Sequence, residues 1–215
     1  AQPFSTVVSM LSQSVASELR EAISAGDFQP GEQLSEVKAA ERFHCSRNTL
    51  RESFTRLAAE RIVERIPNRG VFLAMPDADY IRDLFAARAA IEPAAVRWGA
   101  FADASSLVTL TSSAFEYAAR GEHQEVSAIN QRFHRTLVAA LGSPTLNEQM
   151  DNLLARMRLT FLLAIPRYPQ LHADHIQGNI TLATLIADGK RDEAATLAHD
   201  SLMNTCEKIL AVLDD

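Results

Sequence analysis

The segment at residues 35–74 constrains the fold of this chain more than any other part. Its sequence is SEVKAAERFHCSRNTLRESFTRLAAERIVERIPNRGVFLA. Two stretches with helical periodicity are separated by His44 and Cys45, and two β-branched or aromatic runs flank the turn sequence PNRG at 67–70. Apolar periodicity followed by strand runs around a turn predicts two helices and then a small hairpin.

The second of these helices has a polar start and an apolar later face. Its first turns carry polar and basic side chains, which are Ser46, Arg47, Asn48, Thr49 and Arg51. Its apolar stripe comprises Leu50, Phe54 and Leu57. Such a helix packs through its stripe and presents its N-terminal turn outward, which is typical of a helix that enters the DNA major groove while the hairpin lies on the adjacent backbone.

The charge distribution supports this interpretation although the whole chain is acidic, with a formal net charge of −6. Residues 1–76 hold 9 basic and 9 acidic side chains, whereas residues 77–215 hold 12 and 18. The stretch 46–69 has six arginines against three glutamates. Because local charge decides phosphate attraction, the first segment suits DNA and the acidic remainder suits a separate domain.

The pattern along the first segment predicts its elements. A helix over 7–25 ends at Gly26, and a second helix begins at the N-cap Ser35 and runs to about Phe43. Ser46 caps a third helix that ends near Ala59, and strands at 62–66 and 70–73 form the hairpin. The result is an N-terminal winged helix-turn-helix domain, for which we predict the bounds 1–75.

The rest of the chain, 76–215, has only helical patterns. Helices are predicted at 79–100, 104–119, 124–141, 144–164, 171–188 and 192–213. They predict an all-α six-helix antiparallel bundle, so the fold class is mainly α. No apolar run approaches the roughly 20 residues that span a bilayer, and the two distant cysteines, Cys45 and Cys206, indicate reduced thiols in a cytoplasm.

Residues 15–74 resemble the winged-helix domain of the GntR family of bacterial transcription regulators. The shared motifs are PGEQLSE at 30–36, SRxxLRE at 46–52 and PNRGV at 67–71. The resemblance implies that Arg47 and Arg51 reach base edges or phosphates and that Arg69 and Gly70 form the wing tip. Asn48 and Thr49 can contact adenine or phosphate.

Two departures from the family pattern stand beside these motifs. Val37 occupies a place that is usually basic, so that phosphate contact is either lost or supplied by Lys38. His44 replaces the usual glycine of the turn, where a left-handed backbone is tolerated by histidine at some cost.

The bundle resembles the FadR-type effector-binding FCD domain. The cues are Arg88 and Glu92 on its first helix, Phe133-His134, and the ADGK turn at 187–190. Many FCD domains bind a divalent metal through one Asp and three His, and the matching positions here are Asn130, His134, Asn179 and Ser201. Asn and Ser are weak metal donors, so no cofactor is expected; a Zn²⁺ or Ni²⁺ site would require rescue of His134 by His175.

These polar positions instead predict a pocket that binds a small effector directly. A carboxylate-containing metabolite would hydrogen-bond to Asn130, His134, Asn179 and Ser201, with Arg88 or Arg158 matching its charge. The alternative is that water fills the gap and that Arg88 pairs with Glu92, four residues further along the same helix.

The resulting hypothesis is a cytoplasmic, homodimeric transcription regulator, by resemblance a repressor, that binds a pseudo-palindromic DNA operator and senses an organic acid. Metal-dependent effector sensing remains an alternative. A helical-bundle metalloenzyme finds no support, because the chain has no HExxH, Glu-x-x-His pair or nucleophile-elbow motif. An architectural DNA-binding protein without an effector would not need so large a second domain.

Overall fold

A computed structural model describes the backbone of residues 4–214 and the side chains of residues 10–214. The N-terminal unit contains three helices and three short strands. Their bounds are α1 Phe4–Ala25, β1 Gln33–Leu34, α2 Glu36–Arg42, α3 Arg47–Ala59, β2 Val63–Ile66 and β3 Gly70–Leu73. The start of α1 at Phe4, three residues before the predicted start, is the largest difference among the predicted helices of this unit.

The strands form a small antiparallel sheet with the order β1-β3-β2. Within the hairpin Val63 pairs with Leu73, and on the other side of β3 Gln33 pairs with Phe72. The sequence did not indicate β1, because a two-residue strand is too short to show a period of two. This strand ties the loop before α2 to the hairpin.

The two helices of the helix-turn-helix begin where the sequence predicts. The Ser35 side chain accepts a hydrogen bond from the Lys38 amide, and the Ser46 side chain accepts one from the Thr49 amide. Each contact satisfies an amide that would otherwise lack a partner in the first turn. Between the helices His44 has a φ of 48°, which confirms the left-handed turn expected there.

The remainder of the described chain is the predicted bundle of six helices, which confirms the mainly α fold class. The bounds are α4 Ala78–Trp98, α5 Ser105–Ala119, α6 His123–Ala139, α7 Pro144–Ala164, α8 Leu171–Ala187 and α9 Arg191–Asp214. Each end lies within two residues of its predicted position. Among residues 4–214, no helix is long and apolar enough to cross a membrane.

The winged-helix unit is seated on the bundle through α1 and α7. Ala155 and Leu159 of α7 are buried in the same cluster as Leu19 and Ile23 of α1 and Phe54 of α3. Burying one continuous apolar surface stabilises both units together, at about 25 cal/mol per Å². The division of the chain at residue 75 remains a prediction about its organisation, since this core crosses it.

Candidate DNA-binding surface and effector cavity

The start of α3 presents an exposed, polar and basic surface. Arg47 and Asn48 are exposed, as is Lys38 on α2. Thr49 differs, because it is only 7 % exposed and its hydroxyl lies 2.8 Å from the Ser46 hydroxyl. Ser46 and Thr49 thus hold the first turn of α3 together while their neighbours face outward, and the contact of Thr49 with DNA stays a prediction.

Arg51 lies one turn further along α3 and is held by an acidic side chain of α2. Its guanidinium donates hydrogen bonds of 2.9–3.1 Å to both carboxylate oxygens of Glu36. The hydrogen bond from Arg51 lowers the pKa of Glu36. Arg65 of β2 donates to the Arg51 carbonyl at 2.6 Å, so the hairpin is also attached to α3.

The tip of the hairpin is set by its backbone conformation and by β1. Asn68 and Gly70 have positive φ values of 61° and 111°, and only glycine adopts the second value without strain. The Gln33 side chain donates to the Arg69 carbonyl at 2.8 Å. The Arg69 guanidinium lies 5.6 Å from the centre of the Phe72 ring, so a cation is presented at the wing.

A cavity of about 310 Å³ lies inside the bundle between α4, α6, α8 and α9. Four of the residues predicted to bind an effector line it, namely Arg88, His134, Asn179 and Ser201. Sequence analysis missed Tyr168, Asp174 and Lys208, which also line it. They belong to different elements, and no spacing along one helix connects them.

The inner part of the cavity contains a buried ion pair. Arg88 and Glu92 are each 1 % exposed, and the Arg88 Nε–Glu92 Oε1 distance is 2.7 Å. The other Glu92 oxygen lies 2.7 Å from His134 Nδ1. Burial alone would raise the pKa of Glu92, but the charges of Arg88 and His134 outweigh it and lower that pKa to about 2. The internal Arg88–Glu92 pairing weighed in the sequence analysis is therefore present.

Asn130 and Asn179 are joined to each other beside this pair. The Asn179 amide donates to the Asn130 carbonyl oxygen at 2.7 Å. Asn130 lines a separate cavity of about 10 Å³ instead of the large one, and His175 lines both. Burial, together with the nearby His134 and Arg88 charges, lowers the pKa of His175 to about 3. Its buried Nε2 has no hydrogen-bond partner among residues 10–214.

Arg158 lies elsewhere, so its expected role in effector binding is corrected. It is 5 % exposed, does not line the large cavity, and donates to the Ser127 hydroxyl at 2.6 Å. A Cβ placed on Gly26 would come within 2.4 Å of its guanidinium. Burial lowers the pKa of Arg158. Arg158 thus packs under the C-terminal end of α1, at the junction between the two units.

Charged side chains from two helices meet at the more exposed part of the cavity. Lys208 of α9 lies 3.1 Å from Asp174 of α8, and the Tyr168 hydroxyl donates to the same carboxylate. The hydrogen bond from Tyr168, followed by the one from Lys208, lowers the pKa of Asp174. An exposed pair of this kind contributes little to stability.

The donors in the cavity suit hydrogen bonding to an organic ligand better than coordination of a metal. At the positions that match the family's metal ligands, Asn130, Asn179 and Ser201 offer only neutral, weak donors beside His134, and the Asn179 amide nitrogen already donates to the Asn130 carbonyl oxygen. In the part of the chain that the structure describes, no three His, Cys, Asp or Glu side chains are arranged to hold a metal ion. The residues therefore do not fit the Asp-and-three-His metal site.

Comparison with known proteins assigns the winged-helix unit and the helical bundle to known families of domains. Residues 11–73 match the family model of bacterial regulatory proteins of the gntR family, and residues 83–204 match the FCD domain. The chain belongs to the GntR family. It is a DNA-binding transcription regulator with an FCD effector domain, and not an enzyme.

Individual relatives agree with this assignment. The Nta operon transcriptional regulator of Aminobacter aminovorans is 27% identical over 189 residues, which are 86% of this chain and 88% of the relative. The galactonate operon transcriptional repressor of Escherichia coli is 29% identical over 160 residues, 63% of this chain and 69% of the relative. A transcriptional regulator structure from Rhodococcus sp. RHA1 superposes with a TM-score of 0.80 at 30% identity, covering 93% and 97% of the two chains.

Proposed function

We propose that this GntR regulator is a repressor that binds a pseudo-palindromic operator as a homodimer. The proposal rests on the exposed Arg47 and Arg51 at the start of α3, next to a wing that presents Arg69. Two such units related by a two-fold axis would contact half-sites about one helical turn apart. One relative, the galactonate operon transcriptional repressor, is named a repressor, which supports repression as the mode of regulation proposed here.

Arg51 is the residue that tests the DNA interface most directly. We expect Arg51→Ala to weaken specific binding by about 1–3 kcal/mol, because an arginine fork reads guanine or clamps a phosphate. The measurement is fluorescence anisotropy with a duplex that the wild type selects from a random pool. Arg132→Ala, an exposed arginine of α6, is the matched control. Equal affinity of wild type and the Arg51 variant would remove Arg51 from the interface.

The effector proposed for the large cavity is a small hydroxylated organic acid, bound without a metal. The inner end of the cavity already balances Arg88 with Glu92, so hydroxyl groups suit it better than a second carboxylate. At the other end Lys208 can bind the acid group in exchange for Asp174. A sugar acid has both kinds of group, and the name of one relative refers to galactonate.

A thermal-shift screen of the chelator-treated protein tests this part. The probes are sugar acids and other small carboxylates, each with and without Zn²⁺ or Ni²⁺. A ligand at 100 times its Kd raises the free energy of unfolding by about 2.7 kcal/mol, which shifts Tm visibly. Stabilisation by an acid alone supports the proposal, and Lys208→Met should reduce it. Stabilisation only in the presence of metal would replace it with metal-dependent sensing.

A further inference from the structure

Helix α6 has one face on which four polar side chains are buried. They are Ser127, Asn130, Gln131 and His134, each 4–7 % exposed. Their spacing of three, four and seven residues places them on a single stripe of the helix. We refer to these four residues as the α6 polar stripe. A buried polar side chain is costly unless it is hydrogen-bonded, so the partners of this stripe matter.

Each member of the stripe contacts a different element. Toward the effector cavity, His134 contacts Glu92 of α4 and Asn130 accepts from Asn179 of α8, both at 2.7 Å. Toward the winged-helix unit, the Gln131 side chain donates to the Ser24 carbonyl of α1 at 2.9 Å. Ser127 accepts from Arg158 of α7 at 2.6 Å, and Arg158 in turn packs under Gly26.

Helix α1, which receives the contacts of Gln131 and Arg158, is itself attached to the recognition helix α3. Ser53 of α3 donates to the Ser12 carbonyl of α1 at 2.8 Å. Arg20 of α1 forms two hydrogen bonds, of 2.8 and 3.0 Å, with Glu60 at the C-terminal end of α3. A displacement of α1 therefore displaces α3 with it.

We propose that α6 couples the cavity to DNA binding, with Gln131 and Arg158 as positioning residues for α1. The inference rests on the proposed function of the cavity as an effector site. Apolar contacts tolerate small sliding, whereas buried hydrogen bonds are either made or broken. A ligand that competes for Glu92 or Asn179 changes the contacts at one end of the α6 polar stripe. The helix then repositions Gln131 and Ser127 against α1 and Arg158.

Arg158 supports this assignment because, among the described residues, no carboxylate forms an ion pair with it and its hydrogen-bond partner is the neutral Ser127 hydroxyl. It is 5 % exposed, its Nε is buried with no hydrogen-bond partner in the part of the chain that the structure describes, and its pKa is lowered by burial. A leucine at this place would avoid the cost of burying a charge. What the guanidinium provides is a directional contact between α6 and the end of α1.

A double-mutant cycle tests the coupling without knowledge of the effector. Asn179→Ala removes the partner of Asn130 at the cavity, and Gln131→Met removes the hydrogen bond to Ser24 while keeping the side-chain size. The affinity of each variant, and of the double variant, is measured for the selected duplex. We expect the effects to depart from additivity by about threefold or more, since the two residues act through one helix.

Two further measurements separate coupling from a merely structural role. Hydrogen exchange of residues 19–27 should become faster in Asn179→Ala, although this substitution lies in the cavity and not at α1. A control cycle combines Asn179→Ala with Thr136→Val, an exposed position of α6 outside the stripe, and should be additive. If Gln131→Met does not fold, Gln131→Leu, which removes the donor with a neutral side chain, takes its place.

The outcomes distinguish the inference from the proposed function. An additive Asn179–Gln131 cycle with unchanged exchange at 19–27 overturns the coupling, even where the wild type binds its duplex and an organic acid. Failure of the wild type to select any duplex overturns the repressor proposal, while the exchange experiment still decides the coupling. Faster exchange at α1 together with a non-additive cycle supports it.

Discussion

Glu92 is buried and ionised. Its contacts with Arg88 and His134 together offset the free-energy cost of burying that charge. Arg88 and His134 each contact one of its carboxylate oxygens at 2.7 Å. Because Glu92 accepts both bonds, His134 Nδ1 must carry a proton, which fixes the orientation of the imidazole. Removing one member leaves the others buried with an unbalanced charge or an unpaired polar atom.

We therefore predict that Glu92→Leu lowers the free energy of unfolding by about 3–5 kcal/mol, because Arg88 is left as an uncompensated buried cation. The double variant Arg88→Met/Glu92→Leu should recover most of this loss. Urea denaturation monitored by circular dichroism measures both. A single variant as stable as the double one would show that Arg88 finds another partner or reaches water.

His44 is a second residue whose conformation has a cost that a substitution can remove. Its φ of 48° lies in the left-handed region, where a side chain is strained. We expect His44→Gly to raise the free energy of unfolding by about 0.5–1 kcal/mol, the strain relief being partly offset by the freedom of glycine in the unfolded chain. His44→Ala keeps the strain and is the control, so a similar gain from alanine would contradict this account.

At the scale of elements, the sequence predicts helices well where their ends have local signals. Ser35, Ser46 and Ser143 cap helices with their own side chains, and Gly26 ends α1, so these boundaries depend on adjacent residues. The partners across the bundle have no local signal. The sequence analysis offers Arg158 as a cation that would match an effector carboxylate, and only the packing of α1 on α7 shows that it lies elsewhere.

The junction of α1 and α7 leads to a prediction about Gly26. It has a φ of +89°, and a Cβ there would lie 2.4 Å from Arg158. Gly142 has a φ of +67°, and a Cβ there would have no described atom within 4 Å, so a substitution at Gly142 shows the cost of backbone strain without that of a steric contact. We expect Gly142→Ala to cost about 1–2 kcal/mol of strain and Gly26→Ala to cost about 1 kcal/mol more, because the buried guanidinium must move.

Thermal and urea unfolding of both variants measures this difference. Adding Arg158→Ala to Gly26→Ala should remove the excess over Gly142→Ala, since the atoms that clash are then absent. Equal costs for the two glycine substitutions would mean that Arg158 yields freely. That result would also weaken its assignment as a positioning residue.

At the scale of the whole molecule, two histidines of α8 make global stability depend on pH. The pKa of His172 is lowered to about 4 and that of His175 to about 3, in both cases mainly because the ring is buried. In the unfolded chain both take up protons near pH 6.5. Between these values the unfolded state binds more protons than the folded one, so stability falls as the pH falls below about 6.5.

The carboxylate of Glu92 affects stability in a lower pH range. Its lowered pKa contributes stability that is present above about pH 4.5, the pKa of the unfolded state, and is lost as the pH falls toward about 2. As the pH falls, stability should therefore be lost first through the two histidines and only later through Glu92. Each contributes a slope of at most about 1.4 kcal/mol per pH unit, less where solvent reaches the ring.

We predict a loss of stability between pH 6.5 and 4.5 that His175→Leu reduces by roughly half, because one of the two titrating groups is then absent. The measurement is urea unfolding at half-unit pH intervals, and His172→Leu should reduce the slope by a comparable amount. A slope unchanged by either substitution would place the proton uptake elsewhere. His175 also lines the effector cavity, and because its pKa in the folded protein is about 3, it stays neutral there over the same pH range.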